Sequence, residues 1–106
     1  MSIKLLPTYA SDLERTIARR LITKLLAAGC AITISNGGAP GDEEIEDSTD
    51  KEAILQAMSQ TGLDYVRSAI DGQNVSTIML VYGNDEDLVS DFTDNEFTNA
   101  IIEAIQ

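Results

Sequence analysis

Carboxylates are the chemical groups this chain offers in quantity, and they cluster. One run holds Asp42, Glu43, Glu44, Glu46, Asp47, Asp50 and Glu52. A second holds Asp85, Glu86 and Asp87, with Asp91, Asp94 and Glu96 close behind. Three chemistries use such groups. Calcium loops do, but counting from Asp85 puts Val89 at the third ligand position with no glycine after it, so the D-x-[DN]-x-[DN]-G pattern fails. Paired carboxylates also hydrolyse sugar bonds, yet nothing singles out one pair among eighteen acids. The third chemistry is electrostatic mimicry. Alternate residues of a strand lie about 6.6 Å apart on one face. Glu44 with Glu46, or Asp85 with Asp87 if extended, would then imitate a row of nucleic-acid phosphates.

The basic residues form a separate group. Arg15 with Arg19, and Arg20 with Lys24, are spaced i,i+4 and flank one helical stripe. Arg15 and Arg19 are candidates for contacting an acidic rim on a target. The glycines of "NGGAPG" do not make a phosphate loop, because Asp42, Glu43 and Glu44 follow where lysine is required. They read as a hairpin turn.

Composition removes other classes. Without histidine, Ser–His–Asp and Cys–His catalysis are excluded within the chain. The single cysteine, Cys30, excludes an internal disulfide, a zinc ribbon and an iron–sulfur cluster, and its apolar neighbours suit a buried thiol. The net charge is −11 over 106 residues, from 7 basic and 18 acidic groups. Residues 1–40 hold five basic and two acidic groups, whereas residues 41–106 hold two and sixteen. Such a chain is repelled by phosphates and by anionic lipid, so direct nucleic-acid and membrane binding are not expected. No stretch has the form of a secretion signal or a membrane span, which leads to the expectation of a cytoplasmic protein. No catalytic residue, metal site or cofactor is expected.

Positioning these groups falls to a single domain over 1–106. Ser11 to Ala28 reads as a helix, opened by the Ser11/Glu14 capping box and closed by Gly29, with Leu13, Ile17, Leu21 and Leu25 as its apolar stripe. Ala31 to Ser35 is a strand, and Glu43 to Asp47 its return, with Ile45 inward. Thr49 and Glu52 form a second capping box for a helix to Gln60. Leu63 to Ile70, Val75 to Tyr82 and Leu88 to Thr93 are strands, with Asp71-Gly72 and Gly83 to Asp87 as turns. Tyr82 should place its ring in the core and its hydroxyl at the rim. Asp94 caps a last helix, Asn95 to Ile105. The order α-β-β-α-β-β-β-α predicts an α+β domain of two layers: an antiparallel sheet of four to five strands with helices on one face.

The C-terminal third carries a further signal. Val81-Tyr82-Gly83-Asn84-Asp85 followed by Val89-Ser90-Asp91-Phe92-Thr93 resembles a family of small bacteriophage and prophage accessory proteins. Their pattern is an apolar strand ending in a Tyr-Gly-Asn-Asp turn, then an SD(Y/F)T-type strand. "DSTDKEAILQAM" is similar to that family's entry into its middle helix. The resemblance implies a phage accessory context and no catalytic residues. Together with the charge clusters it leads to one expectation: a protein that inhibits a host nucleic-acid-binding defence protein, such as a nuclease, restriction enzyme or CRISPR-type effector. Glu43, Glu44, Glu46, Asp47, Asp85, Glu86 and Asp87 would present the carboxylates. The alternative is an interaction module, homodimeric in one version, that binds by shape and apolar contact.

Overall fold

The computed structural model describes residues 9–36 and 43–105. Residues 37–42, the part of the "NGGAPG" turn after Asn36 together with Asp42, lie outside the described residues. The first helix, α1 (Asp12–Ala27), starts with both halves of the Ser11/Glu14 capping box in place and ends just before Gly29, whose φ of +90° suits only glycine. Its buried face keeps Leu21 and Leu25 of the anticipated stripe, with Ile17 packed against the core, but departs from it at Leu13. Glu14, Ala18, Leu21, Ile22 and Leu25 point inward, while Leu13 is 45% exposed. The helix is rotated because Glu14 has partners deep in the structure, described below.

Strand β1 (Ala31–Ser35) pairs antiparallel with β2 (Glu43–Ser48) on one side and with β3 (Leu63–Ile70) on the other. The second helix, α2 (Lys51–Ala57), leads from β2 back to β3 and packs over β2 and β1. Its N-cap is Asp50, not Thr49. The Asp50 carboxylate accepts from the N–H groups of Glu52 and Ala53 at 3.1 and 3.3 Å. A carboxylate at the cap also opposes the positive end of the helix dipole, which a threonine hydroxyl does not. Asp50→Ala is therefore expected to cost about 1 kcal/mol in a urea melt, and Thr49→Ala much less. The helix stops at Ala57, short of Gln60, because Met58 turns extended and Ser59 takes a positive φ of 57°.

Asp71 and Gly72, both at positive φ, form the two-residue turn from β3 into β4 (Gln73–Val81), as the Asp-Gly pair predicts. Residues Asp85–Asp87 form one turn of 3-10 helix rather than an open loop, and Leu88 closes it fully buried. β5 (Val89–Phe92) then pairs with β4. The last helix, α3 (Glu96–Ile105), is capped by Asn95 rather than Asp94: the Asn95 side-chain oxygen accepts from Thr98 N–H at 2.8 Å. A buried hydroxyl pair, Ser76 with Thr98 at 2.7 Å, ties α3 to β4.

The sheet order is β2-β1-β3-β4-β5, with every neighbouring pair antiparallel. The three helices lie on one face, and the element order is the one the sequence predicts. Ile32, Ile34, Val66, Ile78 and Leu80 line that face of the sheet. They pack with Leu21, Ile22, Leu25, Ile54, Ile102 and Ile105, and with Cys30, which is buried with its thiol pushed up by burial. Among the described residues no helix is long and apolar enough to cross a membrane.

Candidate functional site

Period-two alternation decides what the helix-free face presents. In β3, Asp64, Val66 and Ser68 point to the helices, so Leu63, Tyr65 and Arg67 point away. In β4, Ser76, Ile78 and Leu80 point in and Thr77, Met79 and Val81 point away. The register aligns these residues in rows. Glu43, Ser35, Tyr65, Met79 and Asp91 run across all five strands, and Thr33, Arg67 and Thr77 form the next row. The helix-free face thus has a half-buried centre containing Leu63, Tyr65, Met79 and Val81, with carboxylates at both edges.

The first acidic cluster is split. Glu43, Glu46 and Asp47 line one shallow concavity with Thr33, Arg67 and Asn74. Glu43 also pairs with the Arg67 guanidinium at 3.2 Å, which keeps the acidic edge from being uniformly negative. Glu44 is not part of that concavity. It accepts from the Asn36 amide at 2.6 Å, and its charge is one of those felt by the buried Asp64. The strand bulges on both sides of Ile34, with Asp47 at a positive φ of 48°, so Glu44 and Glu46 do not form a regular two-residue row.

The second cluster does not join the first. β2 and β5 are opposite edges, four strand spacings or about 19 Å apart. Asp85, Glu86 and Asp87 are coiled in the 3-10 turn, so the spacing of an extended strand does not apply to them. Asp85 accepts from the Ser11 hydroxyl at 2.9 Å, and Glu86 and Asp87 face α1. Arg15 and Arg19 belong to the helical layer. Arg15 is ion-paired with Asp12, and both arginines border a cavity of about 100 Å³ between α1 and α2 beside Tyr82 and Ser59. They do not share a face with Glu43, Glu46 and Asp47. The sequence places all these acids at the surface, and the structure sorts them onto distinct faces.

Two carboxylates are buried where local sequence patterns do not predict it, one of them the capping-box residue Glu14. Glu14 is fully buried, and its second oxygen accepts three consecutive N–H groups, those of Gly83, Asn84 and Asp85, at 2.9, 2.8 and 2.9 Å. Its other oxygen accepts from Ser11 N–H at 2.9 Å. Such convergence of amides on an anion needs positive φ at Gly83 (98°) and Asp85 (52°), which explains the residue types in the Tyr-Gly-Asn-Asp turn. Burial raises the Glu14 pKa, but the N–H groups of Ser11, Asn84, Asp85 and Gly83 together outweigh it and hold the carboxyl below the ordinary glutamate value.

Asp64 is the second. It accepts from the Tyr82 hydroxyl and from Ser59 N–H, the latter at 2.8 Å, while its Oδ1 has no hydrogen-bond partner among the described residues. Burial raises its pKa more than these bonds lower it. Tyr82 is 8% exposed with its hydroxyl on Asp64, so the hydroxyl is interior and not at the rim. Burial, and then the neighbouring Asp64 charge, push the phenol well above its usual range, so it stays protonated and remains a donor. The signal for Asp64 lay in the alternation Asp64, Val66, Ser68, but that phase puts a carboxylate inside and a tyrosine outside.

Among the described residues no group of three or more His, Cys, Asp or Glu side chains is placed to hold a metal ion. The cavity beside Tyr82 is well below the roughly 300–1,000 Å³ of sites that enclose small-molecule substrates. Compared with protein-family models, curated proteins and solved structures, the chain matches none.

Proposed function

We propose that this protein is a non-catalytic binder that covers a basic nucleic-acid-binding surface on a partner protein with the helix-free face of its sheet. The observation that carries this reading is the sorting of the basic groups across the two layers, since carboxylates lie on both, with Asp85, Glu86 and Asp87 beside α1. The helix-free face has Glu43, Glu46 and Asp47 along β2 and Asp91 on β5, with Arg67 as the cation among them. Arg19, Arg20, Lys24 and Lys51 gather on the helical layer. A partner approaching the sheet therefore meets a negative field around an apolar centre. That is the arrangement of a binding patch with a polar rim, and opposite charge on the partner speeds the encounter.

The resemblance of the Tyr-Gly-Asn-Asp region to phage accessory proteins supports a host partner of the defence type: a nuclease, restriction enzyme or RNA-guided effector. Inhibition would follow from occlusion, with Glu46, Asp47 and Asp91 standing in for phosphates and Tyr65 and Met79 adding apolar contact.

Capture of the tagged, full-length protein with partners from a nuclease-treated bacterial lysate tests this. The expected result is a nucleic-acid-binding protein retained at low salt, released at moderate salt and competed off by added DNA or RNA. A partner indifferent to both salt and nucleic acid would instead support binding by shape and apolar contact.

A further inference from the structure

The rotation of α1 leaves a second surface unexplained by the sheet face. Leu13, Ile17 and Arg20 follow one another along the outer side of α1 and form one wall of an open groove. Glu86, Asp87 and Val89 form the other. Leu13 is among the most exposed large apolar side chains described, and Ile17 and Val89 are half-buried beside it. The groove carries charged groups at its two ends, with Leu13 beside the acidic one and the half-buried Ile17 and Val89 between. The Ser11–Asp85 hydrogen bond fixes the 3-10 turn beside the start of α1, so the carboxylates of Glu86 and Asp87 sit at the Leu13 end. Arg20 lies seven residues further on, about 10 Å along the helix. Arg20, Glu86 and Asp87 belong to neither of the ion pairs Arg15–Asp12 and Arg67–Glu43.

We infer that this groove is a two-fold interface for a second copy of the same chain. A two-fold axis through the middle of the groove, near Ile17, reverses its direction in the partner. The cationic end of each copy then meets the anionic end of the other, twice; the half-buried Ile17 meets its counterpart, and the exposed Leu13 is covered by the Arg20 end of the other copy. A surface with opposite charges at its two ends and an apolar centre is self-complementary under that operation, and two-fold dimers are the commonest closed assembly. The dimer leaves the helix-free face of each sheet open, so it neither requires nor precludes the binding proposed above.

Sedimentation equilibrium of the full chain across a concentration series tests the inference. The wild type is expected to dimerise. Arg20→Glu alone, and Glu86→Lys with Asp87→Lys alone, place like charges together at both ends and should each raise the dissociation constant at least about tenfold. Mixing these two variants is the decisive arm. In the mixed pair one end restores opposite charges by exchange and the other retains the original pair, so a heterodimer should form from two chains that are monomeric alone. Circular dichroism confirms that each variant is folded, and Leu13→Lys, on an exposed position, gives an independent loss of dimer. A wild type that stays monomeric at high concentration would overturn the inference. So would a dimer untouched by Arg20→Glu and Leu13→Lys, or variants that do not pair when mixed.

Discussion

Replacing Glu14 by alanine should destabilise the protein by about 3 kcal/mol or more, the loss associated with breaking a buried network around a charge. Four backbone N–H groups would lose their acceptor at once, three of them in a turn 69 to 71 residues away. Glutamine is not a mild replacement here. Both carboxylate oxygens accept from N–H donors, so the amide NH2 of Gln would face a donor in either orientation. Glu14→Gln should therefore come close to Glu14→Ala. Ser11→Ala separates the bonds of the Ser11 hydroxyl, the cap on Glu14 N–H and the contact to Asp85, from the carboxylate anchor, because it leaves the amide contacts of Glu14 in place. It should cost about 1 kcal/mol. Equal losses for Ser11→Ala and Glu14→Ala in urea melts would mean that Glu14 acts only as a helix cap.

Acid titration should expose two buried carboxyls of opposite sign. The folded-state pKa of Glu14 is depressed, so its contribution is fully present above the ordinary glutamate value of about 4.3. It is lost as pH falls through the lower folded value. The folded-state pKa of Asp64 is raised, so the folded chain binds its proton at a higher pH than the unfolded chain does. Stability therefore falls as pH rises from the ordinary aspartate value of about 3.9 through the raised folded value, and the cost is fully present above it. Asp64→Asn removes this second titration. The stability of that variant relative to wild type should be most favourable at neutral pH and should decline as pH is lowered toward 4. A difference constant over that range would contradict a buried, raised Asp64. Tyr82→Phe should cost about 1–3 kcal/mol at neutral pH, because it takes one of two donors from a buried carboxylate. Its cost should shrink where Asp64 is protonated.

These two residues also mark where sequence reasoning ends. The capping box at Ser11, the glycine after α1, the Asp71-Gly72 turn and the apolar strand through Ile78 and Leu80 are all local patterns, and each forms as its pattern predicts. The burial of Glu14 is not local. A carboxylate in the first turn of a helix is most simply a solvated cap, and only the amides of residues 83–85 make the interior tolerable. Asp64 is hidden for the same reason, since Tyr82 lies 18 residues away. Once those two acids are inside, the neighbours a sequence reader would bury turn outward: Leu13 on α1 and Tyr65 on β3. At the second helix the S/T-x-x-E pattern matched Thr49, but the adjacent Asp50 caps it, with a carboxylate that also suits the helix dipole. Whether the acidic clusters converge depends on β1 pairing with both β2 and β3, which leaves β2 and β5 as opposite edges. No local pattern encodes that order.

Charge reversal on two separate surfaces, read by retention of the captured partner at low salt, tests the central claim most directly. The first variant carries Glu46→Lys, Asp47→Lys and Asp91→Lys on the helix-free face. The second carries Glu86→Lys and Asp87→Lys beside α1. Docking through the sheet predicts that the first loses at least about tenfold of the retained partner, since like charges are then opposed, while the second stays within about threefold of wild type. Full retention by the first variant together with loss by the second would contradict the account and move the binding surface to the helical layer.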